Sequence, residues 1–91
     1  FADINPQAPV HILVIPKGAY IDWSDFAANA SGDEISAFFR AISRVAELTG
    51  IGETGYRVIS NIGPDSHQEV SHLHMHVLGG APIGPLVVAK S

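Results

Sequence analysis

The stretch EVSHLHMHVLGG, residues 69–80, carries His72, His74 and His76 with a single apolar residue between each. On an extended strand successive side chains alternate faces, so this spacing puts the three imidazoles on one face and Leu73, Met75 and Val77 on the other. The apolar set belongs against a core. The polar face of an ordinary amphipathic strand mixes Thr, Ser, Lys and Glu, whereas one titratable residue repeated three times points to chemistry.

Upstream, HILVIP at 11–16 is apolar and β-branched throughout, which predicts a strand buried on both faces and ended by Pro16 and the turn-prone Lys17-Gly18. FADINPQAPV, residues 1–10, reads as an extended lead-in, and its abrupt start predicts a natural N-terminus further upstream. GAYIDWSDFAANA, 18–30, shows no period and is expected to be irregular. Ser31 followed by Glu34 then forms a capping box, so a helix begins there. Ile35, Phe38, Phe39, Ile42, Val45 and Ala46 line one stripe of it, Arg40, Ser43, Arg44 and Glu47 the other side, and Gly50 supplies a left-handed stop. YRVISN, 56–61, reads as a second strand. A loop of functional length, IGPDSHQEVS, leads to the histidine strand at 72–78. The expected order is strand, helix, strand, strand within one domain, residues 1–91.

Composition narrows the partners. Of 91 residues, 15% are charged, against about 25% in a typical soluble domain, while 46% are hydrophobic, so apolar surface is expected to meet a second copy in a homo-oligomer. A net charge of −4 with no run of Lys or Arg argues against nucleic acid. The chain has no cysteine, which removes disulfides and thiolate metal ligands and suits the cytoplasm. No apolar run approaches the roughly 18 residues of a membrane span, so no membrane partner is expected.

Two chemistries compete for the array. Imidazole is a common zinc ligand, but His72 and His76 are four residues apart, about 13 Å along a strand, whereas two ligands of one zinc lie about 3.5 Å from each other. At most two neighbouring histidines, with His11 or a carboxylate, could share an ion. A linear array fits catalysis better, with the middle imidazole at the reacting atom and its neighbours along an extended substrate. Imidazole attacks phosphorus when one ring nitrogen is held by a hydrogen bond and the other is left bare. The far nitrogen of His74 therefore needs an acceptor. With no carboxylate in either strand, that acceptor is expected to be a backbone carbonyl of the paired or buried strand.

With HLHMHVL at 72–78, DINPQAPVHILVIPK at 3–17 and GPDSHQEVSH at 63–72 in order, the chain resembles the histidine triad family, specifically its Hint-like nucleotide-binding branch. The resemblance implies an α+β fold, an antiparallel sheet on one long helix, and a homodimer whose sheets join edge to edge. It implies binding of purine nucleotides and hydrolysis of nucleoside phosphoramidates or acyl-adenylates through a nucleotidyl-histidine; no cofactor and no metal are expected. By position, His74 matches the nucleophile, His76 the residue beside the phosphate, His72 the first triad member and His11 a fourth histidine bonded within the array. Asp3 matches a ribose-binding carboxylate and Ile4 an apolar base contact. Asn61, Gln68 and Glu69 fall where the family binds phosphate and leaving group. The family's first helix and hairpin are not seen before Phe1, and the tail lacks the Trp of some relatives.

Two positions depart from that pattern. His67 stands where Gly is common, placing a side chain at the phosphate loop. Glu69 stands where some members carry Ser or Thr, and a carboxylate beside a phosphate is repulsive unless it is protonated or pairs with a cationic amine leaving group, which points to a substrate with an amine side. A non-catalytic nucleotide-binding or scaffold protein is the rival reading, and a zinc hydrolase the third.

Overall fold

The computed structural model describes residues 8–85. Five elements follow in chain order: β1 (Val10–Val14), α1 (Trp23–Asn29), α2 (Gly32–Leu48), β2 (Tyr56–Ile59) and β3 (Met75–Gly79), with a 3-10 turn at Pro64–Ser66. The sheet order is β1-β3-β2 and both pairings are antiparallel. The histidine strand is thus central, with His76 opposite Leu13 on one side and Ile59 on the other. This is the expected α+β arrangement of antiparallel sheet and long helix.

The helix starts as the sequence dictates. Ser31 Oγ accepts from the Glu34 N–H at 3.1 Å and Glu34 Oε1 accepts from the Ser31 N–H at 3.2 Å. Phe38, Ile42 and Ala46 are buried against Val14, Met75 and Val77, with Ile35 and Val45 partly buried beside them. Gly50 closes the helix with φ +77°, a conformation that an L side chain would strain. Phe39, assigned to the same stripe, stays 42% exposed and sets its ring edge-on to Trp23, 5.6 Å between centroids.

Four expectations are corrected. The segment 18–30 is not irregular throughout: α1 is capped by Asp22, whose Oδ1 accepts from the Asp25 N–H at 2.9 Å, and its Phe26 is buried between Tyr20 and Phe38. The first strand spans 10–14 rather than 11–16, because Pro16 has no N–H for a ladder and Ile15 is largely exposed. The second ends at Ile59, not Asn61. The third is 75–79 rather than 72–78, because the Leu73 N–H bonds the Tyr20 carbonyl, at 2.7 Å, in place of a neighbouring strand. Burial still alternates from His72 to Val77, so the division into histidine and apolar faces holds.

Gly79 packs against the turn after α2. A Cβ there would lie 3.0 to 3.1 Å from three atoms of the Ile51 side chain, which is itself buried. Gly79→Ala is expected to lower stability by about 1 to 3 kcal/mol through overpacking, read from urea unfolding; an unchanged midpoint would show that Ile51 can move aside.

The Tyr20 hydroxyl donates to Glu34 Oε2 at 2.6 Å. This bond, with the Ser31 backbone N–H, holds the Glu34 carboxyl below its ordinary value, and the same bond to Glu34 raises the Tyr20 phenol. A lowered carboxyl contributes stability that is present above its unfolded value and is lost as pH falls through its folded one. A raised phenol contributes stability present below 10.0 and lost as pH rises past its folded value. Melting temperatures of wild type and Tyr20→Phe should therefore converge as pH drops below about 4.5. Parallel curves would show that the bond adds nothing in solution.

Candidate active site

The face of the sheet away from α2 carries the histidines. His11 lies on β1 opposite Leu78 and is buried, while His76 lies on β3 one alternation away. Their rings meet directly, His11 Nε2 to His76 Nδ1 at 2.9 Å, so one ring donates its N–H and the other accepts with a lone pair. The rings of His74 and His76 stand edge-on with centroids 5.0 Å apart. His11, His76 and His74 therefore form a continuous row.

His74 Nδ1 lies 2.8 Å from the His72 carbonyl oxygen. A carbonyl only accepts, so Nδ1 carries the proton and, in the neutral ring, Nε2 carries the lone pair. The expected backbone carbonyl is present, but it comes from two residues earlier in the same segment rather than from a neighbouring strand. His72 is likewise turned by a carbonyl, its Nδ1 donating to Leu73 at 3.0 Å. His72 and His74 line a cavity of about 250 Å³ with Leu13, Ile15 and Val70. The sequence reading missed these three apolar residues. Leu13 and Ile15 follow His11 at i+2 and i+4, so strand alternation alone places them on its face.

The loop before the histidines is tied down at each end. Gln68 Oε1 accepts from the Gly63 N–H at 2.8 Å, and its Nε2 donates to the carbonyls of Ile21, at 2.8 Å, and Val70, at 3.0 Å. His67 adopts a left-handed conformation, φ 63°, which explains physically why glycine suits this position. Its Nε2 lies 2.8 Å from Glu69 Oε1, with the two side chains 86% and 75% exposed. Such a pair is screened by water and contributes little to stability. Asn61 lies two residues past the end of β2, as His74 lies two before His76. Asp3 and Ile4 lie outside the described residues.

Among the described residues no three His, Asp or Glu side chains are grouped so as to hold a metal ion, and none of the helices is long and apolar enough to cross a membrane.

Comparison with known proteins finds a matching family model, relatives and solved structures. The family model for the HIT domain matches residues 1–83. An uncharacterised HIT-like protein of Azospirillum brasilense is 58% identical over 87 residues, covering 96% of this chain and 71% of the relative. The purine nucleoside phosphoramidase of Escherichia coli K12 is 42% identical over 90 residues, covering 99% and 75%. Among solved structures, a HIT family hydrolase from Clostridium thermocellum superposes with a TM-score of 0.83 at 43% identity, covering 96% of this chain and 75% of that one.

Proposed function

The chain belongs to the HIT domain family, and from that premise we propose that it is a hydrolase of purine nucleoside phosphoramidates or acyl-adenylates working through a nucleotidyl-His74 intermediate. The observation that carries this reading is the His74 ring itself, with Nδ1 bonded to the His72 carbonyl and the Nε2 lone pair available. In this mechanism Nε2 attacks the α-phosphorus and the P–N or P–O bond to the leaving group breaks, its electron pair going with the leaving group. The ring becomes an imidazolium, and its Nδ1–H bonds the carbonyl more strongly as that charge develops. A departing amine must take up a proton, which the histidine array supplies; a departing carboxylate needs none. Water then attacks phosphorus and the phosphorus–histidine bond breaks, its electron pair returning to His74 Nε2; the proton that water releases restores the one the array gave to the amine, or passes to solvent where a carboxylate left, and the mononucleotide departs. In the tautomer in which His11 donates to His76 Nδ1, His76 carries its proton on Nε2, the atom this reading assigns to a non-bridging phosphate oxygen.

In the same reading Asp3 binds the ribose and Ile4 the base, Asn61 and His67 sit beside the phosphate, and Glu69 faces the leaving group, favouring an amine side. The protein is a homodimer joined through a sheet edge. That part is supported by β2, an edge of the described sheet whose Tyr56 and Val58 are exposed. Sedimentation at working concentration is expected to give the mass of two chains, and a monomer would remove the dimer. The reading as a whole is tested by steady-state hydrolysis of adenosine 5′-phosphoramidate: turnover to AMP is expected, whereas nucleotide binding without turnover would favour the non-catalytic scaffold.

A further inference from the structure

We propose that Gln68 is a positioning residue that sets the placement of His74 through the backbone and makes no bond to the phosphate. This rests on the hydrolase reading above. A side-chain amide has two N–H donors and one carbonyl oxygen. Both donors of Gln68 are used, on the carbonyls of Ile21 and Val70, and its oxygen accepts from Gly63. Turning the amide over would face its NH2 to the Gly63 N–H and its oxygen to two carbonyls, so the partners fix the orientation. The Gln68 backbone N–H is committed as well, to the Gly63 carbonyl at 3.1 Å. What capacity remains is acceptor capacity, which a phosphate oxygen cannot use.

The bonds reach the reacting group by a short path. Tyr20 and Ile21 are consecutive, and their carbonyls hold Leu73, between His72 and His74, and Gln68 respectively. These two ties bracket the segment 68–73, which includes Val70 of the cavity wall and the His72 carbonyl that orients His74. The Tyr20–Ile21 segment is in turn fixed by Asp25 on α1, whose Oδ2 accepts from the Ile21 N–H at 2.8 Å. Gln68 therefore links the first turn of α1 to the placement of His74. A shift of about 1 Å at a nucleophile can cost about 100-fold in rate without loss of any substrate contact.

The test is Gln68→Met, which keeps the length and removes all three side-chain bonds. We expect kcat for adenosine 5′-phosphoramidate to fall by about 10- to 100-fold, AMP affinity to change less than about threefold, and hydrogen exchange at Leu73 and Gly63 to accelerate. AMP affinity falling about tenfold or more with exchange unchanged would make Gln68 a phosphate ligand and overturn the proposal. Should the variant fail to fold, the wild-type Gln68 side-chain amide protons decide: they should keep their exchange protection and position in nitrogen-15 spectra on saturation with AMP, and rearrangement onto the nucleotide would refute the assignment. Absence of turnover in the wild type would fail the hydrolase reading alone, since AMP titration and exchange still judge Gln68.

Discussion

Replacing His74 with asparagine is expected to lower phosphoramidate turnover by at least about 10⁴-fold, to the level at which binding and phosphate contacts act without a nucleophile. Asparagine keeps a polar group of moderate size on the histidine face but offers no basic nitrogen to phosphorus. AMP binding should change little, because the variant leaves His76, His11 and the loop in place. The two readouts separate chemistry from folding: retained binding with lost turnover assigns His74 to the reacting atom. A variant that still turns over at a substantial fraction of the wild-type rate would remove His74 from the mechanism.

The second large effect is expected at Leu73. Its side chain is almost fully buried in the core, yet it sits between His72 and His74. Its N–H bonds the Tyr20 carbonyl and its own carbonyl holds the His72 ring. Leu73→Ala should cost about 2 to 5 kcal/mol through lost burial and the cavity left behind. That is a large share of the roughly 5 to 15 kcal/mol by which a domain is stable. Because the cavity would lie directly under the histidine segment, kcat should also fall at temperatures where the protein remains folded, if His74 is the nucleophile proposed above. Chemical denaturation and single-turnover rates on the same sample check both halves. A loss of stability with an unchanged rate would show that the Tyr20 and Gln68 ties alone hold the histidines.

Strand alternation made much of this arrangement legible. The residues between the histidines do face the core, and Ser31, Glu34 and Gly50 begin and end the long helix where their local chemistry requires. Strand ends were less legible because they depend on pairing between distant segments. The Leu73 N–H leaves the ladder for Tyr20, and nothing local to residues 72–74 signals that choice. α1 is less legible because its cap is Asp22, with Asp25 inside the first turn, rather than a Ser/Thr–Glu box. Yet this short helix anchors the Tyr20–Ile21 segment, whose carbonyls hold the loop before the histidines. Gln68 shows the same limit: matched motifs place it near the phosphate, whereas its three bonds are visible only once Gly63, Ile21 and Val70 are brought together by the fold.

The central claim, that His74 becomes covalently bonded to the nucleotide, is tested most directly by mass spectrometry of protein quenched in acid-free conditions during turnover of adenosine 5′-phosphoramidate. An adenylyl adduct on the peptide carrying residues 72–76, localised to His74 and absent from His74→Asn, is the expected result. Turnover with no adduct under conditions that trap a phosphohistidine standard, or an adduct on His72 or His76 instead, would contradict it.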